Sequence, residues 1–280
     1  MFTFTAMTTE IRVVVPHVDE GEERRLAACV VARFERSEQT FSRFREQSEL
    51  SAWNRAPGTF EPSEELRGAL WRAARYESLT GGLFSARVGA TLRAQGYDRS
   101  FAPGALDRDE PPASAPRSAG EIDLGGMIKG WTVDRAAEEL PAGSAVDAGG
   151  DMRLGGGGPD GTGWLVDVED PRDARATLIT LRVRDAAVAT SAPNRRTWRR
   201  GAARTHHLID PRTGAASESD LAQVTVVASS AERADVMAKA AFVAGRARGR
   251  ALLEAVGLGG VFVMRDGDVA LVGRLEVAHG

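Results

Sequence analysis

Four short segments carry most of the residues that could do chemistry. They are Asp123-Leu-Gly-Gly-Met-Ile-Lys-Gly130, Asp147-Ala-Gly-Gly-Asp151, His206-His-Leu-Ile-Asp-Pro-Arg-Thr-Gly214 and Ser229-Ser-Ala-Glu-Arg-Ala-Asp-Val-Met-Ala-Lys239. Each sets glycines or a helix start beside a few charged groups, which suits an anionic, phosphate-bearing ligand. Gly125 and Gly126 permit a tight turn and close approach of a ligand to the backbone. The helix that follows offers unpaired N–H groups and a positive dipole end, and Lys129 adds a full charge. His207 close to Asp210 suits proton transfer, because imidazole titrates near neutrality. Thr190-Ser-Ala-Pro-Asn-Arg-Arg196 adds hydroxyls and two guanidiniums able to grip a phosphate. Asp235 and Lys239 lie four apart on one face of a very apolar helix, which favours a paired, partly buried role over an exposed one.

Taken singly, none of these signals is decisive. A Gly-Gly pair before a helix is most often only a turn, and the glycine spacing fits neither a P-loop nor a dinucleotide fingerprint. Asp147–Asp151 could be a glycine turn with solvated acids, and Asp210–Gly214 an Asx turn held by its own local bonds.

The elements that must position these groups are legible as patterns. Glu10–Val15 reads as a strand, and Glu22–Glu38 and Ser63–Thr80 as amphipathic helices, the second capped by Ser63 and stopped at Gly81. Phe41–Asn54, with Ser48-Glu-Leu-Ser51, reads as a polar, irregular connection, and Phe101–Gly120 as a surface loop. Glu121–Leu124 reads as a short strand that leads into a helix over Lys129–Leu140. Strands are expected at Ala145–Ala148, Trp164–Val168, Thr177–Val183, Ala187–Thr190 and Leu221–Val227. Ser229-Ser-Ala-Glu232 is a capping box that opens a helix over Ala231–Ala244, followed by another over Arg246–Val256. Val261–Met264 and Val269–Val272 flank Asp266-Gly267 as a terminal hairpin. Helices interleaved with hairpin-linked strands predict an α+β chain rather than a doubly wound sheet.

Composition excludes several classes. With 280 residues and a net charge of −3, the chain can bury a sizeable core and offers no nucleic-acid surface. Cys29 is the only cysteine, so no intramolecular disulfide or multi-cysteine metal site can form. It follows the helical pattern of Leu26, Val30 and Phe34 and is expected in the core. Met1–Glu10 lacks a charged start, a long apolar run and a lipidatable cysteine. No later stretch approaches the ~18 apolar residues of a membrane span, so a cytoplasmic protein without membrane contact is expected. Lys129 and Lys239 are the only lysines among 36 basic residues, and both fall inside the segments above.

In order and spacing the segments resemble the ApbE-type FAD:protein FMN transferases, from about Met7 to the end of the chain. The family pattern Asp-Leu-Gly-Gly-Ile-Ala-Lys-Gly followed by a helical Asp matches Asp123–Gly130 with Asp134. Asn-Ala-Gly-Gly-Asp matches Asp147–Asp151, Thr-Ser-Gly matches Thr190–Ala192, and His-Ile-Ile-Asp-Pro-x-Thr-Gly matches His207–Gly214. Ala-Asp-x-x-x-Thr-Ala matches Ala234–Ala240. Four positions depart: Ser85 stands for an Asp, Asp147 for an Asn, Ala192 for a Gly, and Lys239 for a Thr that binds magnesium.

The resemblance implies one ApbE-like domain over residues 1–280, of mostly antiparallel sheets flanked by helices, with a flavin cleft between lobes. It implies transfer of FMN from FAD to a threonine hydroxyl of an acceptor flavoprotein, or to a small-molecule hydroxyl, with release of AMP. Lys129, Asp134, Gly125, Gly126, Thr190 and Ser191 would hold FAD, and His207 with Asp210 would assist the acceptor hydroxyl. Arg196 joins the FAD contacts on its chemistry alone. Asp235 and the main-chain carbonyl of Ile128 would be the remaining ligands of Mg²⁺, with the Lys239 ammonium set beside the pyrophosphate in its place. Ser85, Ala192 and Lys239 keep an alternative open: a flavin-binding protein without transfer. An FAD pyrophosphatase, in which water is the acceptor, is a third reading.

Overall fold

The computed structural model describes residues 1–99, 120–200 and 203–279. The elements of the first part are β1 (Phe2–Ala6), β2 (Thr9–Val14), α1 (Glu20–Phe41), α2 (Glu49–Arg55), α3 (Glu64–Leu79) and α4 (Gly89–Ala94). Next come α5 (Ile128–Glu138), β3 (Ala145–Ala148), β4 (Met152–Leu154), β5 (Trp164–Asp170), β6 (Asp173–Val183) and β7 (Ala186–Ser191). The remainder are β8 (Thr197–Arg200), β9 (Ala203–His206), β10 (Ile209–Asp210), β11 (Ala215–Ala216), β12 (Leu221–Ala228), α6 (Ala231–Ala255), β13 (Gly259–Met264), β14 (Val269–Val272) and β15 (Val277–His279).

An antiparallel sheet in the order β1-β2-β3-β4-β7-β12-β13-β14 forms the spine. Its central strands are buried on both faces, and the side-chain period of two sends alternate residues into different cores. Ala187 and Ala189 of β7 pack toward the helices, while Val188 packs with Val166, Val168 and Leu181 of the small β15-β6-β5 sheet. On β13, Val261 faces the small sheet and Phe262 faces α6. Helices α1, α5 and α6 therefore cover one face of the spine and the small sheet covers the other, an α+β arrangement as expected.

Several details depart from the pattern reading. Cys29 is exposed: the buried stripe of α1 runs Leu26, Val30, Phe34, Ser37 and Phe41, and Cys29 falls outside it. Ser48 ends the irregular connection by capping α2, its hydroxyl accepting from the Ser51 amide at 3.0 Å. Glu121–Leu124 forms no strand of any sheet, and the helix after it opens at Ile128. The loop expected at 101–120 lies, but for Gly120, outside the described residues. Strand β1 carried no turn signal because its hairpin turns on Met7 and Thr8, both at positive φ without a glycine. The two helices expected after Ser230 are, by contrast, both present within α6 and meet at a kink at Gly245, where φ is 77°. There Asp220 Oδ1 caps the second half by accepting from the Arg246 amide at 2.9 Å. Among the described residues no helix is long and apolar enough to cross a membrane.

Candidate functional site

A cavity of about 480 Å³ opens between the α1–α2 and α3–α4 connections on one side and the start of α5, the turn after β3 and the end of β7 on the other. It gathers Gly125, Gly126, Ile128, Lys129, Asp151, Thr190, Ser191, Arg196, His207, Asp235 and Lys239 from segments up to 114 positions apart.

The loop into α5 is fixed from outside. Asn54 accepts from the Ile122 amide at 2.9 Å and donates to the Ile122 carbonyl at 2.8 Å. Asp123 pairs with Arg43 and accepts from the Gly125 amide at 2.6 Å. This leaves Gly125 and Gly126 presented to the cavity. Lys129, one residue into α5, donates to the Ala148 carbonyl at 2.8 Å and pairs with Asp151. Burial pushes the Asp151 carboxyl up to about 6, against the opposing charge of Lys129. The turn between the two is glycine by necessity: Gly149 sits at φ 62°, and a Cβ there would lie 2.3 Å from Thr9 Oγ1. Asp147 accepts from the Gly150 amide at 2.8 Å and so shapes that turn.

On α6, Lys239 donates to Asp235 Oδ1 at 2.8 Å and to the Gly126 carbonyl at 3.1 Å. Asp235 Oδ2 is buried without a hydrogen-bond partner. Opposite, His207 Nδ1 lies 3.2 Å from the Arg196 carbonyl. A carbonyl only accepts, so the proton resides on Nδ1 and the Nε2 lone pair is left for other work. Burial first, then the charges of Arg196 and Lys239, hold this imidazole well below its usual value, so it is neutral at pH 7. The Arg196 guanidinium bonds the Tyr97 hydroxyl and donates to Thr8 Oγ1 at 3.3 Å. Thr190 Oγ1 shares a 2.8 Å bond with Thr225 Oγ1.

Two expected site residues do other work. Asp134 does not line the cavity: its carboxylate accepts from the Ala231 amide at 2.8 Å and the Glu232 amide at 3.0 Å, capping α6. It can do so because Gly130 lets α5 approach closely, a Cβ there lying only 2.4 Å from the Ala231 carbonyl. Asp210 likewise lies off the cavity, bound to Arg212 by 2.9 and 2.7 Å bonds and accepting from the Arg212 amide. It stabilises the turn before Gly214 and makes no bond to His207. Asp151 belongs to a segment flagged in sequence, where one reading made it a solvated acid; it is instead buried against Lys129. Arg43 and Tyr97 were not singled out, and nothing local links Arg43 to Asp123, 80 positions away.

The groups assigned to magnesium do not fit that ion. Mg²⁺ needs oxygen lone pairs in near-octahedral array, and Lys239 has three donors and no acceptor. Its ammonium already sits on Asp235 Oδ1 and the Gly126 carbonyl. The Ile128 carbonyl accepts from Thr132 Oγ1 at 2.8 Å inside α5. Among the described residues no cluster of three His, Cys, Asp or Glu could hold a metal.

The model of the ApbE family matches residues 7–262. The chain belongs to the ApbE family. Its relatives include a FAD:protein FMN transferase of Vibrio cholerae, 28% identical over 81% of this chain and 75% of the relative. Another, of Treponema pallidum, is 29% identical over 89% of this chain and 80% of the relative. The crystal structure of the ApbE protein from Thermotoga maritima is 25% identical and superposes with a TM-score of 0.82, covering 97% of this chain and 96% of that one. The flavin transferase ApbE from Vibrio cholerae shares the fold at a TM-score of 0.78 and 24% identity, over 98% and 96% of the two chains. The ApbE fold is thus the α+β architecture described above.

Proposed function

We propose that this ApbE-family chain, acting as one unit, transfers FMN from FAD to a hydroxyl of an acceptor flavoprotein. The hydroxyl oxygen attacks the phosphorus of the FMN half, the bond to the AMP phosphate breaks, and AMP leaves. The hydroxyl proton passes to a base. Such transfer depends on positioning and on neutralising charge that builds on phosphate oxygens. Lys129, the Gly126 amide and the start of α5 supply that charge and those donors at one wall of the cavity. Thr190, Ser191 and Arg196 offer further polar contacts at the other.

The observation that carries the reading is His207. It is a neutral imidazole with its proton on Nδ1, set in the same cavity as Lys129. A lone pair on Nε2 is what a hydroxyl nucleophile needs, and water or a small alcohol could be served by the same base.

A second reading is favoured by one observation, the Lys239–Asp235 pair in place of a metal. In that reading the protein binds FAD and transfers nothing. Incubating the purified protein with FAD and a candidate acceptor flavoprotein tests the choice. An acceptor heavier by one FMN, with matching AMP, supports transfer. FMN and AMP without an acceptor identifies a pyrophosphatase, and bound, intact FAD identifies the binding protein.

A further inference from the structure

At the cavity the Lys239 ammonium ties two facing segments together. It spans from Asp235 on its own helix to the Gly126 carbonyl of the loop entering α5. The path is built for it. A Cβ at position 126 would lie 3.1 Å from Phe84 and 3.3 and 3.4 Å from the Lys239 Cδ and Cε, so a side chain there would crowd both the ring and the lysine stem. The pair is largely sheltered, the side chains being 19% and 8% exposed for Lys239 and Asp235. Arginine is used at every other basic position except 129. An ammonium is a compact point charge with three donors, unlike the planar guanidinium.

Two of those donors are engaged by Asp235 Oδ1 and the Gly126 carbonyl, which leaves a third. Lys129 and Asp151 form a matching pair nearby, and the Asp151 carboxyl feels both Asp235 and Lys239. The floor of the cavity therefore holds two ammoniums and two carboxylates, arranged as two ion pairs. Asp235 Oδ1 and the Gly126 carbonyl are both engaged by the ammonium, which stands where a divalent ion would sit, while Asp235 Oδ2 keeps no partner. Binding a divalent cation would require the lysine to leave, and would set two cations side by side.

We propose that the Lys239 ammonium is a tethered cation that replaces a divalent metal, so that this site binds a dinucleotide pyrophosphate without metal. The inference rests on the FAD reading above and deepens it. The third ammonium donor meets a phosphate oxygen, and Asp235 serves to hold the ammonium rather than to ligate an ion.

The test compares the unmodified protein with Lys239→Thr and Lys239→Met, using Mn²⁺ and FAD as probes. Without flavin, the free Mn²⁺ signal in electron paramagnetic resonance should be undiminished by wild-type protein. One-to-one Mn²⁺ binding there overturns the proposal whatever the protein does with FAD. Titrated by flavin fluorescence, wild type should bind FAD equally, within about twofold, in EDTA and in Mg²⁺. Lys239→Met should lose roughly ten- to a hundredfold in EDTA, the worth of one charge-assisted hydrogen bond. Lys239→Thr should lose a similar factor in EDTA and recover it in Mg²⁺, because Asp235 is then free to ligate. Wild-type binding that needs Mg²⁺ overturns the tethered cation and leaves the FAD reading standing. No FAD binding in either medium overturns both. The wild-type arms need no variant to fold.

Discussion

Replacing Asp134 by alanine separates a structural duty from a ligand-binding one. Its carboxylate accepts from the Ala231 and Glu232 amides at 2.8 and 3.0 Å, both on buried residues at the start of α6. A hydrogen bond to a charged group contributes about 1.5–3 kcal/mol net, and losing a helix cap costs about 0.5–2 kcal/mol. Two effects moderate the loss. Ser230 still caps the Arg233 amide at 3.2 Å, and burial raises the Asp134 carboxyl despite the two amides, so removing it also relieves a desolvation penalty. The net should be about 2–3 kcal/mol. For a chain of this size that lowers the melting temperature by roughly 5–10 °C, at about 2–4 °C per kcal/mol. Differential scanning calorimetry with and without FAD is the assay. Below the transition, FAD affinity should stay within about threefold of wild type, since one lost contact would cost tenfold or more. An unchanged melting temperature together with a loss of FAD affinity would refute the cap and return Asp134 to the flavin.

Two other substitutions probe the cavity. His207→Ala should slow transfer by roughly 10²–10⁴ while FAD affinity stays near wild type; wild-type turnover in single-turnover measurements would remove the imidazole from the reaction. Because its pKa is held well below 6.5, the wild-type rate should persist as pH falls through that value. Asp151 titrates near 3.8 unfolded and about 6 folded, so the native state holds the proton more tightly. Its contribution to stability is therefore greatest below about pH 4 and falls as pH rises toward 6. Chemical denaturation across that window should show the decline in wild type, and Asp151→Asn should flatten it; an identical slope in the variant would count against the buried carboxyl.

What the sequence made legible were features set by neighbours along the chain. The Ser63 cap, the glycine break at 245 and the Asp235–Lys239 face all depend on residues within four positions, whereas α6 is capped by Ser230 and Glu232 turns to Arg72 in place of the Ser229–Glu232 capping box. Short apolar runs found the central strands because both their faces are covered. The misread residues have partners that no local pattern reveals. Asp134 caps a helix 97 positions on, and Asp123 answers Arg43 from 80 away. Asp210 shows the opposite fault: its closeness in sequence to His207 suggested a catalytic pair, yet Arg212, two residues along, takes its carboxylate. Cys29 was misplaced because the buried stripe of α1 is narrower than a full helical face.

The proposed role of Lys129 and the glycine loop before α5 is to meet the pyrophosphate of FAD rather than the isoalloxazine ring. The most direct measurement is a fluorescence titration of the unmodified protein with FAD, FMN and riboflavin, repeated with Lys129→Ala. FAD should bind most tightly, and the variant should weaken FAD by about 1.5–3 kcal/mol, as expected for losing a charge-assisted hydrogen bond, with little change for riboflavin. Equal affinity for riboflavin and FAD, or a Lys129→Ala variant that binds FAD like wild type, would contradict it.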